Sequence, residues 1–305
     1  MAAPQAQSDE LRDPQIAVVS DGKAGHLNQS LGLAEALQRL CPELQIGELP
    51  ALSRGHALQT LLWPGAPRLR PRLLIGAGHG THLSLLALRR RERCPALVLM
   101  KPSLPRACFD LCIEPRHDGG EESSRRWLSD GPLNRIRPAA TRSDTGLLLI
   151  GGPSAHFVWD QAALLEQIRG LCNNGRRWQL STSRRTPPDF LPSLKALALP
   201  GLDAWDSSEL PGGWIAENLP RTTLCCVTPD SASMIYEALT AGCVASVFDF
   251  EAHKGSRVAK AVTDLRRRGL VVSRTDLTSG ASRVINEPLA EADRIASALL
   301  ERGWL

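Results

Sequence analysis

The sequence predicts an α/β protein built from two similar domains. Three observations carry this. Short apolar runs that end in glycine, serine or a charged residue alternate with stretches whose apolar residues recur at helical spacing, the pattern of a parallel sheet with crossover helices. The alternation restarts after a Gly-, Ser-, Arg- and Pro-rich stretch at 119–144. Polar residues that suit chemistry gather just after the apolar runs, at what would be the carboxyl edge of each sheet.

The elements follow in order. Residues 1–14 are polar with no apolar core, a tail, and Gln15–Ser20 is the first strand, leading into the loop Asp21–Ser30 and a helix over Gln29–Leu40. Leu44–Leu49 is a second strand and Ala57–Trp63 a helical piece. Arg72–Ile75 is a strand followed by the loop Gly76–Thr81 and a helix from His82 to about Arg90. Ala96–Met100 and Phe109–Ile113 are strands, closed by Lys101-Pro102 and by Glu114–Asp118. The pattern resumes with the strand Gly146–Ile150, the glycine loop Gly151–His156, a helix over Asp160–Cys172 and the strand Trp178–Thr182, closed by Ser183–Pro187. A weakly patterned stretch extends to Pro220. Strand Leu224–Val227, loop Thr228–Ser231, a helix broken at Gly242 and strand Ala245–Asp249 come next, then helices over Arg257–Arg268 and Leu289–Arg302. The domains are therefore 15–141 and 142–288, with 289–305 a terminal helix that packs back on the first.

Composition narrows the functions. Among 305 residues, 36 Lys and Arg against 32 Asp and Glu give +4, too mild for a nucleic-acid binder, and 4% aromatic residues leave few stacking platforms. The arginine clusters suit anionic substrates or an anionic membrane surface. Eight cysteines are scattered with no Cys-x-x-Cys pair, which argues against zinc and for reduced, buried thiols. No apolar stretch is long enough to span a bilayer, so membrane contact is expected to be peripheral, and the location cytoplasmic. Leu58, Leu61, Leu62 and Trp63 form an apolar cluster that fits either the core or such a contact.

The chemistry concentrates in loops. Asp21, Lys23, Gly25, His26 and Gln29 lie in the first strand-to-helix loop, where backbone N–H groups at a helix start favour an anion. His26 is the candidate general base because imidazole titrates near neutral pH; Asp21 either orients it or is the base itself. Gly78 and His79 in the second loop, Lys101 after a strand, and His117-Asp118 are candidates to bind an acceptor or a phosphate. In the second half, Gly151 and Gly152 let backbone approach a phosphate and Ser154 adds a hydroxyl. Ser183, Arg184 and Arg185 follow another strand; one arginine is expected to meet a diphosphate and the other to face solvent. If Ser231 or its neighbour caps the helix, Asp230, Ser233 and Glu237 share one stripe, with Glu237 placed to accept hydrogen bonds from two ribose hydroxyls. His253-Lys254 stand after the last strand. No Asp-x-Asp motif occurs, so no metal and no cofactor is expected.

These stretches carry a resemblance. Asp230-Ser-Ala-Ser-Met-Ile-Tyr-Glu-Ala-Leu-Thr-Ala-Gly-Cys-Val244 and Gly151-Gly-Pro-Ser154 resemble the donor-nucleotide motif and glycine loop of GT-B glycosyltransferases, especially the lipid-linked N-acetylglucosaminyltransferase of peptidoglycan synthesis. Ser20–Gly32, Gly76–Thr81, Met100–Ser103, Ile150–Ser154, Thr182–Thr186 and Thr228–Ala238 are together similar to the mitochondrial fission elongated-mitochondria family, which has many bacterial members. Val244 departs from the pattern, since related motifs often carry Pro-Val after the Gly-Cys position. The resemblance implies two Rossmann-like domains facing across a cleft (GT-B type). It implies a metal-independent, inverting transferase that moves sugar from a nucleotide sugar to a lipid-linked or cell-envelope glycan or glycolipid at the inner face of the membrane. The family's name implies an alternative, a non-catalytic adaptor for a partner protein.

Overall fold

A computed structural model describes residues 14–279 and 287–305; the tail read at 1–14 falls, except for Pro14, outside the described residues. The chain divides into two compact units, each with its own parallel sheet. The first comprises residues up to Pro115, 120–129 and 292–305; the second comprises 116–119 and 130–291.

In the first unit the order is β1 (Ile16–Ser20), α1 (Ala24–Leu40), β2 (Ile46–Pro50), α2 (Arg54–Leu62), β3 (Leu73–Ala77), α3 (His82–Glu92), β4 (Ala96–Leu99), β5 (Leu111–Pro115) and β6 (Arg126–Ser129). The strands lie in the order β2-β1-β3-β4-β5-β6, and every pairing is parallel. Strand β1 therefore has β2 on one side and β3 on the other. Connections leave it in opposite directions, and the crevice at the carboxyl ends of β1 and β3 is a topological switch point. The central strands are apolar at nearly every position because helices cover both faces. Ala17, Val19, Leu74, Ala96 and Val98 meet Leu85 and Leu88 of α3 in one core cluster.

The second unit continues with β7 (Ser143–Leu149), α4 (Gln161–Cys172), β8 (Trp178–Ser181), α5 (Phe190–Ala196), β9 (Leu202–Trp205), α6 (Trp214–Asn218), β10 (Thr222–Val227), α7 (Ala232–Thr240), β11 (Val244–Val247), α8 (Arg257–Arg267) and α9 (Arg274–Ser279). Its sheet, again parallel, runs β11-β10-β7-β8-β9, so the switch point falls between β7 and β10. Strand alternation splits its core into two layers: Leu147, Leu149, Cys225 and Val227 face one way, Leu148, Ile150, Leu180 and Cys226 the other. Gly146 must lack a side chain, because a Cβ there would lie 2.3 Å from the Trp178 ring. The last helix, α10 (Glu291–Glu301), counts with the first unit from Ala292 onward.

Several elements differ from the sequence reading. Helix α1 starts at Ala24, so His26 stands in its first turn. Strand β6 was hidden because it opens on a charge. Arg126 is buried there, its guanidinium 3.0 Å from the carboxylate of Glu114, which is itself fully buried and also accepts from Arg106 Nη2 at 2.9 Å. Strand β9 is a half-exposed edge strand, and α5, α6 and α9 are five to seven residues long, below what periodicity detects. The boundary read at 141/142 also shifts. Asp130 takes hydrogen bonds from Arg116 and Arg268, and Asn134 donates to Thr240 at 3.0 Å, so these residues belong to the second unit. On α2 only Ala57 is buried; Leu58, Leu62 and Trp63 are 51%, 61% and 74% exposed, which removes them from the core. No helix among the described residues is long and apolar enough to cross a membrane.

Candidate functional site

At the first switch point two loops interlock. Asp21 follows β1 and receives the His26 ring at Nδ1, 2.9 Å from Oδ2 and 3.1 Å from Oδ1, as well as the Lys23 N–H at 3.2 Å. Burial alone raises the Asp21 pKa, yet these bonds and the nearby positive charge outweigh it, and the carboxyl is held below its ordinary value. An ionised Asp21 has no proton to give, so in the neutral form of the ring Nδ1 carries the hydrogen and Nε2 the lone pair. That is the tautomer a general base needs. The glycines after β3 make room for the pair. A Cβ on Gly78 would sit 2.2 Å from His26 Cε1, one on Gly80 would sit 2.8 Å from Asp21 Cβ, and Gly78 holds φ +79.

The neighbouring predicted residues spread around this centre. Lys23 is the N-cap of α1, Gly25 is exposed, and neither Lys23 nor any other side chain caps the helix, leaving its first amides unfilled. Gln29 is buried and its amide reaches Met100 Sδ at 3.5 Å, tying the third loop to the first; Met100 takes φ +72. Lys101 and His79 are exposed. Sequence reasoning missed His82. It is 2% exposed at the start of α3, with Nδ1 3.1 Å from Ser103 Oγ and with Nε2 buried and unpartnered. Burial, followed by the charge of His79, pushes its pKa down, so it is neutral near pH 7.

At the second unit's switch point three loops meet on Asp230. Its side chain is 1% exposed; Oδ2 accepts the Gly152 N–H at 3.1 Å and pairs with Arg185 Nη2 at 2.7 Å. Thr228 Oγ1 accepts the Gly151 N–H at 2.7 Å, and Thr186 Oγ1 donates to the Gly151 carbonyl. Both glycines are required. A Cβ on Gly151 would lie 2.2 Å from Asp230 Oδ2, and one on Gly152 2.0 Å from the Arg185 carbonyl oxygen. Arg185 is thus the engaged arginine, while Arg184 is exposed and makes no ion pair among the described residues.

This geometry alters the stripe read on α7. The helix begins at Ala232, so Asp230 precedes it and turns back into the loops; Ser233 is exposed and Glu237 is half-buried in the helix. Ser231 is the N-cap but its side chain makes no capping bond. Ser183 Oγ accepts the Arg185 N–H at 3.3 Å, and Ser154 Oγ accepts the His156 N–H at 3.2 Å; both hydroxyls shape their own loops. His253 N–H bonds the His156 carbonyl at 3.0 Å, which fastens the glycine loop to the loop after β11. His117 and Asp118, read with the first-half candidates, lie in the second unit. His117 stacks on Tyr236 with ring centroids 6.3 Å apart and Asp118 meets Arg257 at 3.3 Å. Like His82, Thr186 and Thr228 are functional candidates to which the sequence reading gave no role, although Thr228 stands directly after β10 and Thr186 in the loop that follows β8. Among the described residues no three His, Cys, Asp or Glu side chains converge to hold a metal.

Comparison with known proteins gives the same fold. The family model for mitochondrial fission ELM1 matches residues 24–303. No curated protein matches the sequence. Among solved structures, Acinetobacter baumannii MurG aligns with TM-score 0.51 at 14% identity over 94% of this chain and 100% of its own. A Listeria monocytogenes protein assigned as a UDP-N-acetylglucosamine 2-epimerase aligns with TM-score 0.54 at 11% identity, over 93% and 90% of the two chains. The glycosyltransferase of kitacinnamycin aligns with TM-score 0.51 at 15% identity, over 95% and 99%. The fold is of the GT-B type, with two Rossmann-like domains.

Proposed function

Because the chain belongs to the mitochondrial fission ELM1 family and has a GT-B fold, we propose that it is a metal-independent glycosyltransferase using a nucleotide sugar. The observation that carries this reading is the Asp21–His26 pair. A buried carboxylate that fixes one tautomer of a part-exposed imidazole at a switch point serves proton transfer, and an adaptor has no physical use for it. In this reading His26 Nε2 takes the proton of an acceptor hydroxyl, Asp21 stabilises the imidazolium that forms, and Lys101 with the amides of Ala24 and Gly25 holds an anionic part of the acceptor. In the second unit the start of α7 and Arg185 balance the diphosphate that leaves, and Glu237 receives the ribose hydroxyls. Inversion follows from direct attack of the acceptor on the donor sugar. The exposed Leu58, Leu62 and Trp63 supply an apolar contact for a lipid-linked acceptor's membrane.

The test is thermal stabilisation of the purified chain by UDP-, GDP-, CMP- and dTDP-sugars. One of them should raise the melting temperature of the wild type and not of Glu237→Ala, and His26→Ala should keep that shift while losing turnover. No shift with any donor sinks the transferase reading. It would favour the adaptor reading that the family's name suggests.

A further inference from the structure

Three arginines stand around one open cavity at the other end of the first sheet. Arg72 precedes β3, Arg93 follows α3, and Arg302 follows α10; with Cys94, Pro95, Trp304 and Leu305 they line a cavity of about 570 Å³. All of them enter at the amino edge of the strands, whereas His26 and Gly78 sit at the carboxyl edge. None of the three guanidinium groups makes an ion pair among the described residues. The side-chain carboxylates nearby are already committed. Asp110 accepts from Arg89 and from the Ala96 N–H at 2.9 Å, and Glu92 holds Arg91 and the amides of Arg68, Leu69 and Arg70 at 2.8, 3.0 and 3.3 Å.

An anion seated among arginines around one cavity is attracted by all of them, and here the backbone that carries each is anchored. The Arg302 guanidinium rests over the Trp127 ring, 4.4 Å from its centroid. Beyond it the helix closes through Gly303 at φ +71 and the Trp304 N–H bonded to the Leu299 carbonyl at 3.1 Å, which brings Trp304 back to the cavity. Arg93 caps α3 in the left-handed conformation at φ 59, and the Arg72 N–H is tied to the Gln15 carbonyl at 2.8 Å. Forked donors on anchored backbone match the oxygens of a phosphate group.

We propose that this cavity binds a phosphate-bearing ligand at a site separate from the transferase centre. Inorganic pyrophosphate titrated calorimetrically into the full chain should bind wild type, and Arg93→Gln/Arg302→Gln should weaken that binding by about tenfold or more. Arg93→Lys/Arg302→Lys should fall between them because it keeps charge and loses the fork. Arg185→Gln should leave this binding in place. Equal binding by wild type and a folded Gln double variant, or loss of binding through Arg185→Gln alone, overturns the proposal. Should the double variant fail to fold, phenylglyoxal labelling of wild type decides: pyrophosphate must shield Arg93 and Arg302, and unshielded labelling overturns it. Co-sedimentation with phosphatidic acid vesicles, lost in the Gln variant and absent with phosphatidylcholine alone, assigns the phosphate to a lipid headgroup. Pyrophosphate binding without vesicle binding assigns it to a free phosphate ligand.

Discussion

At Gly78 a single missing atom holds the proposed base in place. Alanine there would put Cβ 2.2 Å from the His26 ring while the backbone sits at φ +79, a conformation L residues avoid. Gly78→Ala should cost about 1 kcal/mol or more of stability, read by urea unfolding, and should lower turnover as severely as His26→Ala. A variant that turns over normally would show that His26 does not act from this position. Asp230 gives a second expectation. Its carboxylate joins the Gly152 amide to Arg185, so Asp230→Ala leaves a buried N–H without an acceptor and frees a guanidinium that, being half-exposed, can turn to water. The cost should be about 1–3 kcal/mol, at the level of an unsatisfied buried donor and below that of a stranded buried charge. Because the same change disorders the glycine loop, donor affinity should fall with it, measured by titration against the nucleotide that stabilises wild type. Unchanged affinity would mean the loops hold their shape without this strut.

Among the helices, side-chain capping separates two groups. Ser53, Asp160 and Ser256 cap α2, α4 and α8, the last two accepting the N–H of Ala163 at 2.9 Å and Ala259 at 3.1 Å, whereas α1, α3 and α7 start without a side-chain cap. The short α5 and α6 also lack a side-chain cap, but of the longer helices it is α1, α3 and α7, which open directly beside the two switch points, that do. Asp160→Ala and Ser256→Ala should each cost about 1 kcal/mol, while Ser231→Ala on α7 should cost clearly less, as read from urea midpoints. A full capping penalty at Ser231 would contradict the free helix start on which donor binding depends. The same elements show what the residues alone could reveal. Strands such as β1, β3, β7 and β10 are legible because a strand covered on both faces must be apolar throughout, and the alternation with helices dictates parallel order. Strand β6 is not, because Arg126 is made tolerable in the interior by an ion pair with Glu114, distant in sequence and fixed by tertiary pairing. The site divides in the same way. That Asp21 and His26 belong together is visible from their spacing on one loop. That Asp230 turns away from its helix to bind Arg185 is not, since nothing local distinguishes a buried strut from the first residue of a polar stripe.

Across the whole molecule the shifted carboxyl and imidazole groups, which titrate between acid and neutral pH, pull in one direction. Burial raises the pKa of Asp21, Glu92, Asp110 and Asp130, but hydrogen bonds and ion pairs override it and all four end below their ordinary values of 3.8 or 4.5. His82 and His117 are both pushed below 6.5 chiefly by burial, each with a buried ring nitrogen that has no partner. In every case the unfolded chain binds the proton more tightly than the folded one, so stability rises with pH. For the histidines the stabilisation is complete above 6.5 and is lost as pH falls through their folded values. For the carboxylates it is complete above about 4.5 and is lost further into acid. One histidine lies in each unit, so both units weaken in the first window. Urea midpoints measured between about pH 7.5 and 3 should therefore fall in two steps. A His82→Gln/His117→Gln variant should flatten the upper step and leave the lower one, while Asp21→Asn should shrink only the lower. A wild-type midpoint that stays level down to about pH 5 would mean that the two rings are not held neutral in the folded chain.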